Sequence, residues 1–138
     1  MAFRPISLGE VLLLLVTLGL PASVQADVVA DLLRGYESAG ASKFNVREAE
    51  SLWKRAFIDA KTGEARRCSQ CHGEDLRRPG QHATTGKVIE PLAPSANPKR
   101  LTDAEKVEKW FSRNCRWTLG RDCTPQEKGN VLVMLREK

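Results

Sequence analysis

The stretch Cys68-Ser-Gln-Cys71-His72 constrains this chain more than any other. Two thiols three residues apart, followed at once by an imidazole, form C-x-x-C-H, the attachment signature for c-type haem. The spacing carries the chemistry. One turn of chain presents both sulfurs to the porphyrin vinyl groups, where they add as thioethers. The next residue then offers its imidazole to the iron as proximal ligand. Other uses of a cysteine pair fit less well. A thioredoxin-like redox pair expects a βαβ pattern around it, and none is visible. A zinc site needs two more ligands at a suitable spacing, and a plain structural disulfide leaves His72 without a purpose. Cys68, Cys71 and His72 are therefore assigned to one covalently attached haem c.

The amino-terminal region sets the compartment. Arg4 supplies a small basic region, and "VLLLLVTLGL" (11–20) is apolar but too short to span a bilayer. "PASVQA" then ends in the small residues a signal peptidase reads, and only Glu10 is out of pattern. Residues 1–26 are expected to be a cleaved signal peptide, and 27–138 a single domain exported to the periplasm, with no stable membrane insertion after cleavage. Exported thiols meet an oxidising environment. The formal net charge of +5 favours an acidic partner or surface. Arg66, Arg67, Arg77, Arg78, Lys99, Arg100, Lys106, Lys109, Arg113, Arg116 and Arg121 are dispersed, with no nucleic-acid motif beside them. They read as a solvated basic surface.

Four helical segments are legible, and the fold class they define is all-α. "VVADLLRGYESAG" carries Val29, Leu32, Leu33 and Tyr36 at helical spacing and stops at Gly40. "NVREAESLWKRAFIDA" starts at an Asn cap and puts Val46, Ala49, Leu52, Trp53, Ala56 and Phe57 on one side. "TDAEKVEKWFSRNC" opens with Thr102 and Glu105 in capping-box spacing, with Ala104, Val107, Trp110 and Phe111 as its stripe. "TPQEKGNVLVMLREK" has Thr124 as cap, Pro125 at the first helical position and Glu127 completing the box. Between the second and third helices, residues 58–101 are rich in proline and glycine and show no strand pattern. A loop of that length needs a reason, and wrapping a large apolar cofactor supplies one.

Three residues compete to be the distal ligand. Methionine is the common choice in electron carriers, but Met134 lies within the last helix beside Val131 and Leu135, where it reads as core. His82 lies in "PGQHATTG", a polar loop that suits a surface histidine. Asn114 continues the apolar stripe of the third helix at i, i+3, i+7 spacing, so it either reaches the iron or caps the helix end. An amide oxygen is a hard, weak donor that suits ferric better than ferrous iron, so an Asn ligand would loosen on reduction.

"TGKVIEPLAPSANP", "VEKWFSRNC" and "GRDCTPQEK" carry a resemblance that runs from about Cys68 to Lys128. The chain resembles the Sphaeroides haem protein (SHP) family of monohaem c-type cytochromes. That resemblance implies a class I cytochrome c-like fold with His72 proximal and Asn114 distal. It implies a disulfide between Cys115 and Cys123, the one pairing left once haem takes Cys68 and Cys71. It further implies release of Asn114 on reduction, binding of O2, NO or CO to ferrous haem, and electron exchange with a dihaem cytochrome c. "IDAKTGEARR" departs from the family, and Arg116 and Trp117 fall inside the disulfide loop, where they bear on distal access. An ordinary six-coordinate carrier using His82 or Met134 is the first alternative. An oxygen- or nitric oxide-reducing enzyme is the second, ranked lower because no proton-delivering group is evident beside Asn114. A gas sensor would need an output domain.

Overall fold

The computed structural model describes residues 27–138; the expected signal peptide, residues 1–26, lies outside them. Helix α1 (Val28–Ser38) starts where the Asp27 carboxylate accepts the Val29 and Ala30 amides, at 3.0 and 3.2 Å. It ends as expected, with Gly40 at φ 96 just beyond it.

Helix α2 (Val46–Lys54) opens on the expected Asn45 cap, whose Oδ1 accepts from Arg47 and Glu48. It is shorter than its sequence pattern. Arg55 turns extended, and Ala56 and Phe57 leave the helix. Phe57 instead pairs with Arg66 in a strand, and behind it the Asp59 Oδ1 accepts the Lys61 and Thr62 amides and the Thr62 hydroxyl, closing a turn. Such side-chain to backbone bonding competes directly with a helical ladder. The resulting turn joins β1 (Phe57–Ile58) to β2 (Ala65–Arg66) as an antiparallel pair. One residue on, α3 (Cys68–His72) is a single turn carrying the whole C-x-x-C-H motif. A second small pair follows, β3 (Gly80–Gln81) with β4 (Val88–Ile89). The stretch read as loop thus holds a helical turn and two hairpins, each strand only two residues long.

Helix α4 (Ala104–Leu119) differs from expectation at both ends. Its cap is Asp103, whose Oδ1 accepts the Lys106 amide at 2.9 Å, while the Thr102 hydroxyl donates back to the Lys99 carbonyl. The anionic acceptor, one residue further on, displaces the predicted Thr102 box. The helix also runs past Cys115 to a left-handed Gly120. Asn114 is therefore interior to α4, and its C-cap reading is wrong. Helix α5 (Pro125–Arg136) begins with the expected Thr124–Glu127 capping box.

The core forms around α5, which packs on both α1 and α2. Leu132 is wholly buried and joins Val29 and Tyr36. Met134, Val131 and Leu135 face Ala49, Leu52, Trp53, Leu76 and Ala93. Met134, 2% exposed, is thus core, as its spacing suggested. Among the described residues no helix is long and apolar enough to cross a membrane.

Candidate haem-attachment site and distal helix

Cys68 and Cys71 are the two free thiols of the described chain, and the other two cysteines are bonded to each other. On a single helical turn, positions i and i+3 share a face, so both sulfurs of α3 point the same way with His72 next in line. Burial raises the Cys68 pKa to about 11. A redox dithiol needs the opposite, a stabilised thiolate. Nor do the described residues gather three or more His, Cys, Asp or Glu at one point, as a bare metal site would require.

His72 is held from two directions. Its ring lies 5.6 Å from that of Trp53, tilted by 41°. The Trp53 indole nitrogen donates to the Gly73 carbonyl at 2.8 Å, fixing the residue that follows the histidine. From the other side comes β3. A Cβ on Gly80 would collide with the Cys71 carbonyl oxygen and crowd the His72 Cα, so only glycine lets the strand lie there. Burial first, then the charges of Arg100 and His82, pull the His72 pKa down to about 4. The imidazole is therefore neutral at physiological pH, the form that binds a metal. Its Nδ1 is buried with no hydrogen-bond partner. Arg100 in turn donates to the Pro91 and Glu90 carbonyls, both at 2.8 Å, and so pins the loop leaving β4.

His82 belongs to the hairpin that lies against α3. Its Nδ1 accepts the Thr84 and Thr85 amides, both at 3.2 Å, which makes it the organiser of the β3–β4 turn. It is exposed, two residues from the glycine that touches Cys71.

Helix α4 divides its side chains differently from the stripe read in sequence. Val107 and Phe111 pack toward Val29, Tyr36 and Leu132. Asn114 follows them at i+7 and i+3. It is exposed, one turn from Trp110, which is itself 45% exposed and stacked by the Arg113 guanidinium at 5.1 Å. The next residue, Cys115, is 5% exposed and bonded to Cys123, with Cα atoms 5.5 Å apart. Arg116 pairs with Asp122 at 2.8 Å across the short loop that the disulfide closes. The amide of Asn114 thus sits on an apolar-flanked face of a helix anchored one residue later.

One contributor was missed in sequence. Arg66, read there as solvated, has a side chain only 17% exposed. Its Nη1 pairs with Asp59 at 2.7 Å and donates to the Trp117 carbonyl at 3.0 Å, and its guanidinium lies 4.8 Å from the Trp117 ring centroid. Its Nε is buried without a partner. A basic residue two positions before Cys68 was visible, but its partners lie far away in sequence.

These residues fit a haem. There are two free thiols on one turn, a neutral half-buried imidazole beside them, and an apolar-flanked amide on another helix. A C-x-x-C-H turn set among packed helices defines a c-type cytochrome domain. Residues 39–135 match the family described as a domain of unknown function, DUF1924. The chain is 42% identical over 127 residues to the cytochrome c-type protein SHP of Cereibacter sphaeroides, spanning 90% of this chain and 95% of that protein. It is 37% identical over 91 residues to cytochrome c'' of Methylophilus methylotrophus, 66% of this chain and 62% of the relative. Among solved structures it superposes on oxidised SHP, described as an oxygen-binding cytochrome c, with a TM-score of 0.71 at 42% identity, covering 80% of this chain and 96% of that one. Oxidised cytochrome c'' gives 0.68 at 34% identity, covering 78% and 92%. A solution structure of the same protein, which addresses haem-ligand detachment, gives 0.65 at 34%, covering 78% and 88%.

The chain belongs to the SHP family of c-type cytochromes. Its fold is all-α and cytochrome c-like, and its cofactor is covalently bound haem c.

Proposed function

We propose that this protein is a periplasmic electron-transfer cytochrome whose ferric haem is held by His72 and Asn114, and whose Asn114 lets go on reduction. In this reading Cys68 and Cys71 form the two thioethers, residues 1–26 are the cleaved signal peptide, and 27–138 are the working domain. The observation that carries it is the position of Asn114. It is exposed between Trp110 and Trp117 on α4, one residue before a buried disulfide cysteine.

Haem, when bound, supplies one-electron redox chemistry and a coordination position open to a diatomic gas. The protein's own contribution is to make that position conditional. A neutral amide oxygen is a weak, hard donor that holds to ferric iron better than to ferrous. The helix carrying it is stapled at Cys115, so Asn114 can withdraw by a side-chain movement while α4 stays in place. O2, NO or CO then has access to the same face. That a solved relative is described as oxygen-binding, and another through detachment of a haem ligand, supports this reading. The excess of basic residues suits docking to an acidic redox partner such as a dihaem cytochrome c.

The test is optical spectroscopy of the holoprotein, oxidised and reduced, with and without carbon monoxide. The ferrous wild type binds carbon monoxide, and Asn114→Ala leaves the ferric haem five-coordinate or water-ligated. An unchanged ferric spectrum in Asn114→Ala overturns the ligand assignment.

A further inference from the structure

We infer that Arg66 is a positioning residue for Asn114, setting how firmly the distal amide is presented; this rests on the reading of Asn114 as ligand. The guanidinium ties three parts of the molecule together. It sits on β2, two residues before Cys68, the first haem-attachment thiol. It pairs with Asp59, which organises the β1–β2 turn. It also donates to the Trp117 carbonyl and stacks on the Trp117 ring, on the turn of α4 that follows Asn114. Positions 114 and 117 are i and i+3, so they share a face of the helix.

The strand leading into the proximal attachment helix and the distal helix are therefore joined at one half-buried cation. Helix α4 is anchored near Asn114 by two devices of different kinds. The disulfide holds it to its own following loop, and Arg66 holds it to the attachment strand. Only the second fixes the distance between the two walls of the haem site. A planar guanidinium with a fixed fork of donors suits this better than the flexible ammonium of lysine. A weak axial donor is sensitive to such placement, because a small displacement forfeits a bond that is worth little at the outset.

The experiment compares Arg66→Gln in two backgrounds of the holoprotein, Asn114 and Asn114→Ala, by ferric optical and electron paramagnetic resonance spectra and by midpoint potential. With Asn114 present, losing the Arg66 bridge lowers the ratio of Asn-ligated to unligated ferric protein by about three- to tenfold, the equivalent of one hydrogen bond. The midpoint potential rises, because a ligand that favours the ferric state is weakened. In the Asn114→Ala background the same substitution changes neither readout. Arg66→Lys, which keeps the charge opposite Asp59, gives a smaller shift in the same direction. It replaces Arg66→Gln as the decisive variant if the latter yields no holoprotein.

A lower melting temperature with unchanged ferric spectrum and potential would reduce Arg66 to a structural clamp and overturn the inference. An equal shift in potential in both backgrounds would assign its unpartnered Nε to the haem itself and overturn it too. If Asn114→Ala alone leaves the ferric spectrum unchanged, the ligand reading fails first and the inference falls with it. The two failures are thus read from different variants.

Discussion

Trp53 donates its indole N–H to the carbonyl of Gly73, at 2.8 Å, and thereby ties a core helix to the residue directly after His72. The tryptophan is 7% exposed and packs with Leu52, Met134 and Leu135, so its position is set by the core and not by the site. Core packing is transmitted to His72 through one hydrogen bond and one ring contact. Trp53→Phe keeps an apolar ring but removes the donor and part of the volume. The expected cost is about 1–2 kcal/mol of holoprotein stability, measured by denaturant unfolding. A change in the ferric spectrum should accompany it, whereas an equally destabilising substitution at Val29, on the opposite core cluster, should leave the spectrum alone.

Gly80 makes the opposite kind of contact, permitted by the lack of a side chain. Gly80→Ala forces a Cβ into the backbone of Cys71 and His72, which cannot swing aside as a flexible side chain could. Either β3 lifts or α3 shifts. We expect a loss of about 1–3 kcal/mol and a lower yield of covalently attached haem, checked by haem quantitation against total protein. Gly86, in the same hairpin, has a φ of 68, but a Cβ there would meet only the Gln81 side chain, at an ordinary 3.9 Å. Gly86→Ala should strain the turn without lowering haem yield.

What the sequence made legible was chemistry confined to a few neighbouring residues. C-x-x-C-H, the Asn45 cap and the Thr124–Glu127 box all act within one helical turn, and each is present as read. The core role of Met134 followed from its spacing. The failures share a different cause. Helix α2 looked longer because Ala56 and Phe57 keep its apolar period, but Phe57 is taken by a strand pairing with Arg66, nine residues on. Two-residue strands cannot display an alternating pattern at all. The stripe read for α4 included Trp110, which stays exposed, while Val107 and Phe111 turn inward. Arg66 was invisible as a clamp because the Trp117 carbonyl it binds lies 51 residues downstream.

Tyr36, Glu108 and Lys128 join α1, α4 and α5 in a half-buried cluster. The tyrosine hydroxyl donates to Glu108, which also receives the Lys128 ammonium at 2.6 Å, and that ammonium lies 5.5 Å from the tyrosine ring centroid. Burial, followed by the hydrogen bond and charge of Glu108, raises the Tyr36 pKa far above its ordinary 10.0. The folded state thus favours the neutral phenol. A group whose pKa is raised on folding contributes stability that is fully present below its unfolded value and lost as pH climbs beyond it. Stability should therefore fall progressively above about pH 10, and Tyr36→Phe should flatten that alkaline limb. At neutral pH the same variant costs about 1 kcal/mol through the lost hydrogen bond. Thermal melts of both proteins across pH 7 to 11 make the comparison, and parallel curves would rule out Tyr36 as the titrating group.

The disulfide between Cys115 and Cys123 has a thermodynamic effect and a positional one, and the two can be separated. Closing a loop of sequence separation 8 restricts the unfolded chain, which in the entropic model stabilises the fold by about 2–3 kcal/mol. The bridge also holds the last turn of α4, where the Arg116–Asp122 and Arg121–Glu127 pairs brace the same loop. The Arg116–Asp122 pair is exposed and adds little by itself, while in the second pair Glu127 is half-buried. Replacing both cysteines by serine should therefore cost about 2–3 kcal/mol in denaturant unfolding. If the helix beyond Asn114 also loosens, the ferric optical spectrum should shift toward an unligated haem, because on the proposed reading the ferric state is the one the amide holds. Stability loss with an unchanged ferric spectrum would confine the bridge to its thermodynamic effect.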